Sequence, residues 1–269
     1  MFYNACNGTV KTAEAEMDYI AFGYGQKPLI MLPGLGDGLR TVKGTAIPLA
    51  FMYRQYAKEY RVYMLSRRKV MPQGFTTRDM AKDVYEAMKA LDIVPSYVVG
   101  VSQGGMIAQY LAIDYPQAVR KLVLAVTLSK QNDTIQQVIE SWMEMARKGD
   151  YKGIMIDTAE HSYSETYLKK MRKSYAIIGR IGKPKSFDRF LVMAKACLTH
   201  DAKEELHKIQ CPTLIIGGKQ DKIVTGAASE ELAQAIAGSG LYMYEDLGHG
   251  AYEEGEDFLT RITDFIEDN

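Results

Sequence analysis

Residues 93–113 carry no charged side chain, and no other feature of the sequence constrains the fold as tightly. An uncharged run of that length either crosses a bilayer or lies inside a protein core. Pro95, Ser96, Ser102, Gln103, Gly104, Gly105 and Gln109 punctuate it. That density of polar and turn-forming residues excludes a spanning helix, because hydrocarbon offers such groups no partners. The run therefore reads as a buried strand over 96–101 feeding a buried helix over 103–115, stopped by Pro116. The run 27–32 ends in the same way, at the glycine-rich loop Pro33-Gly34-Leu35-Gly36-Asp37-Gly38, as a buried parallel strand and its exit turn do.

The pattern extends along most of the chain. Further strands are expected at 17–25, 60–66, 120–128, 211–218 and 241–244. Helices are expected at 46–60, 77–91, 229–237 and 257–267; Met80, Val84, Met88 and Leu91 show the helical spacing, with Thr76 or Thr77 as N-cap. Strands alternating with helices predict an α/β fold, a doubly wound and mostly parallel sheet. The alternation fails over 129–208, which is helix-like at 134–148, 151–175 and 187–199 and is interrupted by Gly179, Gly182 and Pro184. So long a helical stretch between two sheet strands predicts an inserted lid over 129–208, with 1–128 and 209–269 forming the core.

Bulk chemistry narrows the function. The 269 residues hold 33 Lys+Arg against 33 Asp+Glu, so net charge supplies no case for nucleic acid or an anionic membrane as partner. Cys6, Cys197 and Cys211 form no C-x-x-C pair and match no zinc spacing, as expected of thiols in a reducing cytosol. The first residues show no basic segment followed by an apolar run, so no signal peptide is expected and the location is expected to be cytoplasmic. No metal is expected, since H-E-x-x-H and close His/Asp clusters are missing outside the loop 246–250. The loop 34–38 lacks the third spaced glycine of a dinucleotide site, so no cofactor is expected.

Gly100-Val101-Ser102-Gln103-Gly104 fits the pattern G-x-S-x-G. That string arises by chance in roughly one such chain in a dozen. Its setting is more specific, with a Val-rich strand before it and a helix carrying Met106, Ile107 and Leu111 after it. A serine at that junction sits on a sharp turn with its hydroxyl exposed, and Gly100 and Gly104 keep side chains out of the turn. A serine hydroxyl needs a base. Of the four histidines, His161 and His200 lie in the helical insertion and His207 closes it; these read as surface or lid residues. His249, in Asp246-Leu247-Gly248-His249-Gly250, follows the last strand, where loops at the carboxyl ends of parallel strands build a ligand crevice. The orienting carboxylate is Asp221, in the loop after the penultimate strand, with Asp133 as the alternative; Asp246 is too close to His249 along the chain to reach its ring easily.

The order Ser102, Asp221, His249, with gaps of 119 and 28 residues, resembles the α/β-hydrolase family over essentially the whole chain. The stretch from Gly100 to Gln109 is similar to small esterases, enol-lactonases and cofactor-free haloperoxidase-type members. The resemblance implies the α/β-hydrolase fold, a nucleophilic Ser102, and an oxyanion hole from the backbone N–H groups of Leu35 and Gln103. Two departures stand out. Pro33-Gly34 occupies the place of the family's His-Gly, which removes only the N–H of residue 33. Ser66-Arg67-Arg68-Lys69 occupies the place of an Asp and a glycine-rich turn; it reads as solvated loop charge, or else as a contact for an anionic substrate or acyl carrier. The expected function is a serine hydrolase acting on a small-molecule ester, thioester or lactone. The alternatives are C–C bond hydrolysis or peracid formation by the same triad, and a non-enzymatic receptor on a hydrolase scaffold.

Overall fold

In the computed structural model, residues 2–175, 177 and 182–268 are described. Eight strands form one sheet: β1 (Cys6–Lys11), β2 (Glu16–Phe22), β3 (Lys27–Leu32), β4 (Tyr60–Arg68), β5 (Ser96–Val101), β6 (Val119–Ala125), β7 (Thr213–Gly218) and β8 (Gly240–Tyr244). Their order is β1-β2-β4-β3-β5-β6-β7-β8, antiparallel where β1 meets β2 and β2 meets β4, parallel elsewhere. The helices are α1 (Ala46–Met52), α2 (Thr77–Ala90), α3 (Gln103–Asp114), α4 (Asp133–Arg147), α5 (Tyr151–Ser162), α6 (Glu165–Met171), α7 (Asp188–Leu198), α8 (Gly226–Ala235), α9 (Ala251–Glu254) and α10 (Phe258–Glu267).

Successive residues of the central strands feed two separate cores. Ile30, Val98, Leu124 and Ile215 pack with Met80, Val84 and Leu111 on the α2–α3 side. Leu29, Val99, Val123 and Ile216 pack with Ala50, Phe258 and Ile262 on the α1–α10 side. Each such side chain contributes about 1.5–3 kcal/mol by leaving water, so a strand apolar at every position is stable only when covered on both faces. Thr76 caps α2 in a reciprocal box, its Oγ1 accepting from the Asp79 N–H at 3.1 Å and its own N–H donating to the Asp79 carboxylate at 2.8 Å. α3 is buried on every face from Gln103 to Ile113. Among the described residues no helix is long and apolar enough to cross a membrane.

Several expectations are corrected. β1, mostly exposed and without alternation, has no counterpart among the expected strands. The helix expected over 46–60 stops at Met52, and a 3-10 turn at Arg54–Tyr56 buries Tyr56 edge-on against Tyr60. The helix expected over 151–175 is two helices, broken where Ser164 turns extended and its hydroxyl accepts the Tyr167 N–H to start α6. Gly179 lies outside the described residues, whereas Gly182 is in the left-handed region at φ 85°.

The basic cluster is not a solvated loop. β4 continues through it, Arg67 is fully buried, Arg68 pairs with Asp83, and Lys69 bridges Glu16 and Asp18. Burial pushes the Arg67 guanidinium down to about 10, which leaves it charged at neutral pH. Arg67 and Arg68 are thereby largely withdrawn from solvent, whereas Lys69 stays exposed in its pairing with Glu16 and Asp18.

His200 is likewise not a surface residue. It is buried, its Nδ1 lies 2.9 Å from the Thr77 hydroxyl, and its ring meets Tyr110 edge-on. Burial pushes its imidazole down to about 4, against a partial upward pull from Asp201. The unfolded chain therefore takes up a proton near pH 6.5 that the folded chain refuses until about pH 4. Stability is expected to fall as pH drops through that window, by about 3 kcal/mol in all. Urea unfolding of the parent chain and His200→Gln at pH 7 and pH 5 checks this. The substitution should flatten the pH dependence, and parallel losses in the two proteins would assign it to another group.

Candidate active site

Ser102 occupies the turn between β5 and α3 at φ 54° and ψ −120°. That backbone conformation costs a non-glycine residue about 1–3 kcal/mol and survives only where its surroundings enforce it. Here they do: the Ser102 N–H extends the sheet to the Ala125 carbonyl at 2.9 Å, and its own carbonyl accepts the Thr127 hydroxyl at 2.8 Å. The turn also needs Gly104, where a Cβ would lie 1.9 Å from the Leu32 carbonyl oxygen. The result is a hydroxyl projecting from the carboxyl edge of the sheet.

Two further loops on that edge meet it. After β8, the His249 imidazole places Nε2 2.9 Å from Ser102 Oγ and Nδ1 2.8 Å from the Asp221 carboxylate. Because a carboxylate only accepts, the ring proton sits on Nδ1, and Nε2 is free to take the serine proton. Asp221, in the loop after β7, uses its other oxygen to accept the Ile223 and Val224 N–H groups at 2.8 and 2.9 Å. Burial pushes the Asp221 carboxyl up, but its interaction with His249 and these hydrogen bonds outweigh it and hold the group below its ordinary value. Asp133, by contrast, is exposed in the first turn of α4, where Asn132 rather than Asp133 caps the helix. His161 and His207 stand apart: His161 contacts the Asp157 carbonyl within its own helix, and His207 is exposed.

Leu35 and Gln103 each open a helical turn, so neither N–H has a partner within that turn. Gly34 brings the first turn against the serine: a Cβ there would lie 3.3 Å from Ser102 Cβ.

Ser102 and His249 line a cavity of about 460 Å³. Its walls are mainly apolar, with Leu49 and Met52 on the α1 side and Ile135, Trp142, Ile154 and Phe190 from the helices of 129–208. Trp142 is fixed by its indole N–H donating to Asp157 at 2.6 Å, and Gly250, next to His249, donates to the Ser162 carbonyl at 2.7 Å. Cys197 also borders the cavity, but burial pushes its thiol up to about 12, so it stays protonated and is no rival nucleophile. A polar depression of about 530 Å³ lies at the opposite strand edge, by Pro28, Arg61 and Arg120, away from these groups.

Sequence reasoning missed the polar groups behind the site. Asp37 accepts the Arg67 N–H at 2.9 Å and pairs with Arg189 of α7. An Asp inside a glycine-rich loop and an Arg within a basic run were legible as unusual, but a partner 152 positions away leaves no local trace.

The sequence model of the alpha/beta hydrolase fold matches residues 27–256. The mouse serine hydrolase BPHL is 28% identical over 262 residues, covering 93% of this chain and 83% of its own. An alpha/beta hydrolase from a Medee basin deep-sea metagenome library superposes with a TM-score of 0.86 at 20% identity, over 97% of this chain and 98% of that one. The enol-lactonase of Burkholderia xenovorans LB400 superposes with a TM-score of 0.81 at 23% identity, over 96% and 99%.

Proposed function

The chain belongs to the alpha/beta hydrolase family, and on that footing we propose that it hydrolyses a small, largely apolar carboxylic ester, thioester or lactone through an acyl-enzyme on Ser102. The observation that carries this reading is the continuous hydrogen-bonded line from Ser102 Oγ through His249 to Asp221, opening into an apolar cavity. Relatives named as a serine hydrolase and an enol-lactonase support the same reaction class.

Ser102 Oγ attacks the carbonyl carbon as His249 Nε2 takes its proton. The carbonyl π electrons move to oxygen, and the Leu35 and Gln103 N–H groups hold that oxyanion. Collapse expels the leaving group, which receives the proton from His249. Water then enters, loses a proton to His249 and attacks the acyl carbon; the second tetrahedral intermediate collapses, Ser102 Oγ leaves and takes that proton back from His249, and the acid is released. Asp221 keeps the imidazole in the required tautomer and stabilises its charged form. The helices of 129–208 act as the cap of the core formed by 1–128 and 209–269. Their apolar side chains exclude bulk water and shape the acyl site.

A cavity of about 460 Å³ suits a ligand of small-molecule size. Turnover of p-nitrophenyl esters is therefore expected to peak at a short to medium acyl chain. Rapid-quench mass spectrometry with that ester should show one acyl group on the peptide containing Ser102. Acylation at another residue, or turnover without any acyl adduct under conditions that trap it, would overturn the proposal.

A further inference from the structure

Helix α7 supplies none of the reacting groups, yet one stripe of it grips both segments that carry the oxyanion donors. Arg189, Met193 and Cys197 recur every fourth residue and so lie along one face. Arg189 Nη2 pairs with the Asp37 carboxylate and Nη1 bonds the Asp37 carbonyl, while Nε and Nη2 also donate to the carbonyls of Arg68 and Arg67 at 3.0 and 3.1 Å. Asp37 lies two residues beyond Leu35 in the same 3-10 turn. On the other side of Leu35, the buried Arg67 guanidinium donates to the Pro33 carbonyl. The Gln103 side-chain amide donates to the Met193 carbonyl at 2.7 Å and to Cys197 Sγ at 3.0 Å. Gly38 makes the approach possible, since a Cβ there would lie 2.9 Å from the Phe190 Cα.

We propose that α7 brackets the oxyanion hole: Arg189, acting through Asp37, and the Gln103 side chain, acting through Met193 and Cys197, are positioning residues for the Leu35 and Gln103 N–H groups. This rests on the acyl-transfer reading of Ser102. The physical need is clear. A turn with glycines at 34, 36 and 38 has little rigidity of its own. An oxyanion donor works only within about 2.7–3.1 Å of the developing charge, and a misplacement of about 1 Å costs on the order of 100-fold in rate. A buried carboxylate clamped by two arginine-bearing segments holds the turn in one arrangement, and both donors take their position from one helix. The hole is thereby complete only when the helical insertion is docked on the core.

The test uses Gln103→Met, Arg189→Met and Arg189→Lys, with p-nitrophenyl butyrate as substrate and fluorophosphonate labelling at its end point to count working sites. Two ketones separate transition-state from ground-state binding. Ser102 Oγ adds to 1,1,1-trifluoroheptan-2-one, its proton passing to His249 and an oxyanion forming in the hole; heptan-2-one fills the same cavity without appreciable addition. Gln103→Met and Arg189→Met are expected to lower kcat per labelled site by about 10–100-fold with KM changed less than about threefold. The trifluoroketone should weaken by a similar factor, heptan-2-one should hold, the pH midpoint of kcat should stay, and Arg189→Lys should recover part of the loss.

Unchanged kcat per site and trifluoroketone affinity in the folded variants would overturn the bracket. So would equal weakening of both ketones, which reports a collapsed pocket. Should Arg189→Met fail to fold with Asp37 unpaired, Gln103→Met decides, because it strands no charge. A parent chain left unlabelled at Ser102 overturns the hydrolase reading and the bracket with it, and that result needs no variant.

Discussion

Ser102→Ala is expected to fold as the parent chain does and to lose ester turnover by about 10⁴-fold or more. Alanine tolerates the turn as serine does, since φ 54° strains any side chain and the turn is held by the Ala125 carbonyl and the Thr127 hydroxyl through the backbone of residue 102. What disappears is the one oxygen placed 2.9 Å from His249 Nε2. The imidazole, the cavity and the Leu35 and Gln103 N–H groups remain, so a residual rate above that in water is expected from binding and oxyanion stabilisation alone. Circular dichroism with p-nitrophenyl butyrate hydrolysis checks both halves. A folded Ser102→Ala protein turning over at the parent rate would remove Ser102 from the mechanism.

Asp221→Asn is expected to lower kcat by about 10³–10⁴-fold, by the precedent of serine proteases. The local hydrogen bonds explain why so small a change should matter. The Ile223 and Val224 N–H groups both donate to one Asp221 oxygen, so an asparagine keeps its carbonyl there and turns its NH₂ toward His249. An amide N–H facing Nδ1 favours the tautomer with the proton on Nε2, and that nitrogen can no longer accept from Ser102. Asp133→Asn, in an exposed first turn of α4, is expected to change kcat less than about threefold. Steady-state kinetics of the two variants decide between the carboxylates, and the reverse pattern would make Asp133 the orienting acid.

Much of this was open to sequence reasoning because the relevant signals are local or periodic. The strand–turn–helix around Ser102 follows from an uncharged run with glycines at two positions of a tight turn. The loops of Asp221 and His249 follow from chain direction, which puts the residues after parallel strands on one edge. Four histidines left few candidates for the base. Boundaries suffered where a packing contact overrode periodicity, as at Tyr56, or where a cap residue broke a helical run, as at Ser164.

By itself the sequence determined the doubly covered sheet, the helical insertion between its strands, and the order in which serine, aspartate and histidine reach one edge, because each depends on side-chain period and chain direction alone. Only the tertiary structure decided which carboxylate meets His249, why Arg67 and His200 are buried, and that Arg189 reaches across 152 positions to the loop bearing Leu35. The reason is physical. Desolvation and hydrogen bonding act over a few ångströms in space, so a charge written as a basic run can end inside the core wherever the fold brings it a partner.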